Sequence, residues 1–108
     1  MDKISRIAEL NDQLRRDFIG GKVLITPGIQ ALGSDAVGEI ISAVRAFSAF
    51  TTDNDPYGEH DCAVVDVGDH RVIWKIDYYD LSMAYGSDDP TNSEATLRLL
   101  TIMLADEW

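Results

Sequence analysis

One stretch of the sequence decides the fold: residues 62–79, which read Cys-Ala-Val-Val-Asp-Val, then Gly-Asp, then His-Arg-Val-Ile-Trp-Lys-Ile-Asp-Tyr-Tyr. On both sides of Gly68-Asp69, apolar residues recur at every second position, which is the period of a strand with one buried face. A Gly-Asp pair between two such runs is typical of a two-residue hairpin turn. The stretch therefore predicts two antiparallel strands, Cys62–Val67 and His70–Tyr79.

The turn also predicts which residues of the two strands face each other. With Val67 opposite His70, Asp66 meets Arg71, and this opposite-charge pair supports the register. Because side chains alternate between faces, one face is apolar and is expected to pack on helices. That face carries Ala63, Val65, Val72, Trp74, Ile76 and Tyr78. The other face is polar around an apolar strip and carries His60, Cys62, Val64, Asp66, Arg71, Ile73, Lys75, Asp77 and Tyr79.

The residues before the hairpin predict two helices and a short strand. Residues 3–18 predict a helix with one apolar stripe, and Gly20-Gly21 is expected to end this helix. The stripe consists of Ile4, Ile7, Asn11, Leu14 and Phe18. Residues 22–26 predict a strand, and a second helix is expected from Ser34, as its N-cap, to about residue 49.

After the hairpin, residues 93–106 fit either a helix or a strand. Leu97, Leu100 and Leu104 have helical spacing, and the length of the segment favours a helix. The 108 residues form one domain, 1–108. We predict an α+β fold in which a small antiparallel sheet has two or three helices packed on one face.

Charge is distributed unevenly along the chain, whose formal net charge is −10. Residues 1–52 hold six acidic and six basic residues, whereas residues 53–108 hold thirteen acidic and three basic ones. Such a field repels nucleic acid and anionic lipid, so we expect no direct nucleic-acid binding and no membrane association. The expected partner is a basic protein surface. The single cysteine and the absence of a long apolar run favour a cytoplasmic protein.

The polar sheet face and two polar loops, residues 53–61 and 81–92, are the expected binding surface, because loops carry function more often than core elements do. The predicted binding residues are Asp53, Asp55, Tyr57, Glu59, Asp61, Asp80, Asp88 and Asp89. The first loop resembles the start of an EF-hand, but Tyr57 and Val64 occupy positions where calcium ligands are required. Weak cation binding there stays open, and we predict no resident metal and no cofactor.

The hairpin register brings His60 next to Asp77, with Lys75 and Tyr79 nearby. A histidine that is oriented by a carboxylate can act as a general base, so these four residues are the candidate catalytic group of a small hydrolase. An ordinary surface ion pair has the same pattern. A third hypothesis is a homodimer joined through Val64, Ile73 and Tyr79, so the chain is expected to be a monomer or a homodimer.

Five blocks of sequence resemble a known family. They are Arg6-Ile-Ala-Glu-Leu-Asn11, Asp53-Asn-Asp-Pro-Tyr-Gly-Glu-His-Asp61, Trp74-Lys-Ile-Asp-Tyr-Tyr-Asp80, Gly86-Ser-Asp-Asp-Pro90 and Leu100-Thr-Ile-Met-Leu-Ala-Asp-Glu-Trp108. Together they resemble a domain family of unknown function that is common in alphaproteobacteria. The resemblance implies a context of plasmids and other mobile elements, sometimes near anti-restriction genes, and it supplies no catalytic residues that could be carried over to this chain. The leading hypothesis, motivated by the charge of residues 53–108, is an acidic interaction protein. A specific form of it mimics the nucleic-acid backbone and blocks a DNA-binding defence protein.

Overall fold

The structure, a computed structural model, describes residues 2–108. In chain order its elements are α1 (Lys3–Asp17), β1 (Gly21–Ile25), α2 (Pro27–Gln30), α3 (Ser34–Ala46), β2 (Cys62–Val67), β3 (His70–Tyr79) and β4 (Leu97–Leu104), followed by a 3-10 turn (Ala105–Glu107). Asp2 is the N-cap of α1, and its side chain accepts a hydrogen bond from the Ser5 N–H at 2.8 Å. No helix within residues 2–108 is long and apolar enough to cross a membrane.

The four strands form one sheet in the order β1-β4-β3-β2. The β2–β3 hairpin has the predicted register, with Val67 opposite His70 and Asp66 opposite Arg71. The predicted α+β class is confirmed. Two of the three strand pairings are antiparallel as expected, and the third, between β1 and β4, is parallel, so the sheet is mixed.

The prediction of a helix after the hairpin is wrong, since residues 97–104 form strand β4. Its residues read Leu-Arg-Leu-Leu-Thr-Ile-Met-Leu, and a nearly continuous apolar run does not distinguish a buried strand from a buried helix. The neighbouring strands decide its conformation, since β4 pairs with β1 on one side and with β3 on the other.

All three helices contribute buried side chains to a single core on one face of the sheet, as predicted. Leu14 of α1, Ile29 of α2 and Val44 of α3 meet Trp74 of β3 and Ile102 of β4, and all five side chains are fully buried. The helices therefore form one layer and the sheet forms the other.

The helix ends differ from the prediction in three places. Phe18, rather than Gly20-Gly21, adopts the left-handed conformation (φ 56°) that ends α1, and its N–H donates to the Leu14 carbonyl. Residues 27–30, between the predicted strand and the second predicted helix, form α2, because Pro27 is well suited to the first position of a helix. Helix α3 is capped by Gly33 rather than by the Ser34 side chain, and it ends at Ala46.

Candidate functional site

The two predicted loops lie at the same end of the sheet. Strands β2 and β4 begin at this end and β3 finishes there, so residues 51–61 and 80–96 are neighbours. We call these two loops, together with Asp77, the acidic end. It contains nine of the thirteen acidic residues of the second half of the chain. They are Asp53, Asp55, Glu59, Asp61, Asp77, Asp80, Asp88, Asp89 and Glu94.

A buried polar network ties both loops to α1 and to the sheet. The amide of Asn11 donates to the Glu59 carbonyl at 3.0 Å and to the Tyr78 hydroxyl at 2.7 Å, and its oxygen accepts from Arg98 Nε at 3.0 Å. The Tyr78 hydroxyl donates to the Glu59 carboxylate at 2.9 Å. Arg98 also donates to the carbonyl of Pro90 in the second loop. Asn11 therefore contacts the first loop directly and is connected to the second loop through Arg98.

Burial governs the ionisation of this network. It raises the pKa of the Tyr78 phenol far above its usual range, and the hydrogen bond to Glu59 adds to the rise, whereas the bond from Asn11 opposes it. The phenol therefore stays neutral and keeps the proton that it donates to Glu59. The guanidinium of Arg98 lies 5.2 Å over the Tyr78 ring, and burial lowers the pKa of this group while Tyr78 opposes the change.

His60 lies on the helix side of the sheet, so the expected His60–Asp77 pair does not form. Its Nδ1 faces the Asp12 carboxylate at 3.0 and 3.1 Å, and its Nε2 lies 3.6 Å from Asp55. The ring stacks on Phe50, with centroids 3.9 Å apart and planes 2° apart. Strand β2 begins only at Cys62, and His60 has a left-handed backbone (φ 55°). The alternation of side chains that placed it on the polar face therefore does not extend to it.

The other three residues of the predicted catalytic group remain on the polar face, away from His60. Asp77 accepts from Lys75 Nζ at 2.7 Å. Tyr79 is half-buried, pairs with Leu97 of β4 and bridges to Gly86 in the second loop. The four residues therefore divide between two faces of the sheet, and the arrangement proposed for a hydrolase is not assembled.

Beside His60 lies a buried arginine, Arg15, which is not part of the apolar stripe of α1. The Arg15 side chain is fully buried, and its Nη2 donates to Asp12 at 3.0 Å. Its guanidinium lies 5.4 Å from the Phe50 ring centroid and 5.3 Å from the Trp74 ring. Within residues 2–108, neither Nε nor Nη1 has a hydrogen-bond partner. Burial lowers the pKa of this guanidinium, and the Asp12 carboxylate opposes the change.

A groove of about 550 Å³ runs along α1 beside the first loop. Its lining includes the carboxylates Glu9, Asp12 and Asp17, with Arg16 and His60 as the basic groups. Both ring nitrogens of His60 face carboxylates of the protein itself. The groove therefore presents carboxylate oxygens, which suit a cationic group.

The side chains of several predicted binding residues bond to the backbone of their own loops instead of facing outward. Asp55 accepts from the His60 N–H at 3.2 Å, and its side chain is only 5% exposed. Asp80 accepts from the Ser82 N–H at 3.1 Å, and Asp89 from the Thr91 N–H at 3.1 Å. The Ser82 and Thr91 hydroxyls also donate to these two carboxylates, and these hydroxyl bonds first, with the N–H bonds, lower the pKa of Asp80 and of Asp89. Such contacts are typical of Asx turns, in which an aspartate caps its own backbone.

The remaining predicted binding residues are available to a partner to different degrees. Asp53, Tyr57 and Asp88 are exposed, and their side chains make no hydrogen bond or ion pair within residues 2–108. Asp61 is half-buried, and its pKa is raised by burial first and then by Glu59. Within the described part of the chain, no three His, Cys, Asp or Glu side chains are grouped to hold a metal ion, including in the Asp53–Asp61 loop.

Sequence reasoning missed Asp12 and Arg15, but the sequence did contain a signal for Asn11. Asn11 occupies a position in the apolar stripe of α1, where a polar residue must find partners inside the protein. The partners themselves, up to 87 residues away in the chain, could not be read from α1.

Comparison with known proteins identifies the family of this chain. A family model described as "Protein of unknown function (DUF3768)" matches residues 25–107, which include both loops of the acidic end. Comparisons with the curated proteins and with the solved structures find no match. Because the family model covers most of its length, the chain belongs to this family of proteins of unknown function.

Proposed function

We propose that the protein is a binding module whose acidic end attaches to a basic surface of a partner protein. The observation that carries this proposal is the gathering of nine acidic residues at one end of the sheet, in two loops held side by side by Asn11 and Arg98. Carboxylates in such a cluster sum their fields, which steers a partner of opposite charge and speeds its association.

The basic residues of the same half of the chain, three against thirteen acidic ones, are too few to cancel this field. Arg71 pairs with Asp66 at 3.0 Å, and Lys75 pairs with Asp77 at 2.7 Å. Arg98 is only 2% exposed and is held by the buried network. Each basic residue of 53–108 is therefore engaged within the protein, whereas the exposed carboxylates of Asp53 and Asp88 have no partner within residues 2–108.

The specific form that we propose is mimicry of the nucleic-acid backbone. Surfaces dense in lysine and arginine are built to neutralise phosphates, and carboxylates can take the place of those phosphates. The partner is then a nucleic-acid-binding protein, which the acidic end would block.

Binding to a candidate basic protein, measured by titration calorimetry, tests the electrostatic part of this proposal. The variant D53N/D88N removes two exposed carboxylates that make no bond within residues 2–108. At about 0.5 kcal/mol for each exposed charge, it should weaken binding about fivefold. The control D35N/E39Q removes two exposed carboxylates from α3 and should bind as the unaltered chain does.

Two results would contradict the proposal. One is an affinity that does not fall with rising salt, because contacts between exposed charges are screened. The other is an equal loss of affinity in both variants, which would make net charge, rather than the acidic end, the cause. For the mimicry, a labelled DNA duplex bound to the same partner should be displaced by this chain. Joint binding of duplex and chain would refute mimicry and leave the acidic end as a binding surface.

A further inference from the structure

The second loop of the acidic end contains a turn, residues 81–86, in which every residue is exposed. We call these residues the apolar turn. Its large apolar side chains, Leu81, Met83 and Tyr85, are 64%, 39% and 75% exposed. Within residues 2–108, nine large apolar side chains are exposed, and three of them lie between residues 81 and 85. Exposed apolar side chains that are gathered rather than scattered are typical of a surface that another molecule covers.

Hydrogen bonds hold the apolar turn in one conformation. The Asp80 N–H donates to the Tyr85 carbonyl at 2.8 Å, and the Met83 N–H donates to the Asp80 carbonyl at 3.0 Å. The Ser82 hydroxyl donates to the Asp80 carboxylate at 2.6 Å and accepts from the Ala84 N–H at 3.2 Å. Because the backbone is already ordered, binding through this turn loses little conformational freedom.

The backbone of Met83 has a left-handed conformation (φ 60°), which favours glycine over residues with a side chain. A methionine at this position therefore costs stability that a glycine would not cost. The folding of the turn does not explain its side chain. Contact with a partner does, because the flexible methionine side chain adapts to irregular apolar surfaces.

Charge around the apolar turn indicates the chemistry of its partner. Residues 76–96 hold five acidic residues and no lysine, arginine or histidine. Two of the five form ion pairs, and the other three, Asp80, Asp88 and Glu94, form none within residues 2–108. The hydroxyl of Ser82 lowers the pKa of Asp80, so this carboxylate is ionised at neutral pH. Negative charge thus flanks the apolar turn, and it is complementary to lysine and arginine.

The same charge disfavours two other partners. A second copy of this chain would bring its own five acidic residues, and no basic ones, to a twofold contact at the turn. An anionic lipid surface is repelled as well. A protein surface on which an apolar patch is bordered by lysine and arginine matches both the exposed side chains and the carboxylates.

We propose that the apolar turn anchors the acidic end to its partner, and that an apolar patch on the partner's basic surface receives Leu81, Met83 and Tyr85. This rests on the proposed function, because the acidic end is taken as the site of attachment. The carboxylates then steer the partner, and the apolar turn supplies most of the affinity. Protein interfaces commonly have this construction, with a few large apolar side chains at the centre and a polar rim.

Two synthetic peptides of equal length and equal lysine content test the anchor. In the first peptide, leucines at helical spacing form an apolar stripe bordered by the lysines, and in the second peptide serines replace the leucines. Titration calorimetry should show that the unaltered chain binds the leucine peptide at least about tenfold more tightly than the serine peptide. This preference should persist when added salt weakens the binding of both peptides, because salt screens charges and not apolar contacts.

A pair of double variants shows whether the preference belongs to the apolar turn. L81S/Y85S removes two of its side chains and should bind the two peptides about equally well. The control I19S/W108S removes two apolar side chains of similar exposure, 55% and 76%, that lie outside the acidic end, and it should keep the preference. Circular dichroism verifies that both variants are folded.

The outcomes separate the anchor from the acidic end. Binding of both peptides by the unaltered chain with equal affinity would overturn the anchor and leave the proposed function in place. A preference that survives in L81S/Y85S, or one that falls equally in the two double variants, would overturn it too. Failure of both peptides to bind at low salt would instead contradict the proposed function itself, because the acidic end would then not attract a basic surface.

Discussion

Asn11→Ala is the substitution for which the structure makes the sharpest prediction. Asn11 is fully buried and forms three side-chain hydrogen bonds, to the Glu59 carbonyl, the Tyr78 hydroxyl and Arg98 Nε. Alanine removes all three. Tyr78 keeps its bond to Glu59, and Arg98 keeps its bond to Pro90, so the groups that lose a partner outright are the Glu59 carbonyl and Arg98 Nε.

The expected loss of stability follows from these two groups. A buried polar group left without a partner costs about 1 to 3 kcal/mol, and the charged guanidinium belongs at the upper end of that range. Alanine returns roughly 0.5 kcal/mol, because it favours a helix more than asparagine does. The free energy of unfolding should therefore fall by about 3 kcal/mol. In a domain of this size that corresponds to a fall in Tm of roughly 15 °C.

Urea unfolding, followed by the fluorescence of the buried Trp74, measures this change. Gln13→Ala, at an exposed position on the same helix, is the matched control and should change stability by less than about 0.5 kcal/mol. Amide exchange should also accelerate in both loops, near Glu59 and near Pro90. A loss below about 1 kcal/mol, or one equal to that of Gln13→Ala, would refute the view that Asn11 holds the two loops.

Two further predictions concern buried charge. Asp12→Ala should lower the free energy of unfolding, measured by chemical denaturation, by about 3 to 5 kcal/mol, because it leaves the buried guanidinium of Arg15 without its partner. Arg15→Met should lower it by less than about 2 kcal/mol. Equal losses in the two variants would contradict this reasoning. Burial raises the pKa of Asp61, so the folded state holds this proton more tightly than the unfolded state, and its contribution to stability declines as pH rises through the range above 3.8. Asp61→Asn should therefore raise Tm at about pH 7 and leave it unchanged at about pH 3, and thermal melts that show the reverse order would count against the prediction.

Features of the fold that depend on neighbouring residues could be predicted from the sequence, whereas features that depend on residues far apart in the chain could not. The hairpin was predictable to the residue, because Gly68-Asp69 and the alternation around it are local. Helix α1 was predictable for the same reason. His60 was misplaced because it precedes the strand and its backbone turns left-handed, so the alternation of β2 says nothing about its direction. Its partner Asp12 lies 48 residues away, beyond the reach of any local pattern.

The sequence alone determines the α+β class, the register of the β2–β3 hairpin and the concentration of negative charge after residue 52. These properties depend on side-chain periodicity and on counting charges, which involve neighbours along the chain. The conformation of β4, its parallel pairing with β1 and the side-by-side placement of the two acidic loops emerge only when distant segments pack together. The physical reason is that an apolar run buries itself equally well as a helix or as a strand. Which of the two it becomes depends on the partners that the rest of the chain brings to it.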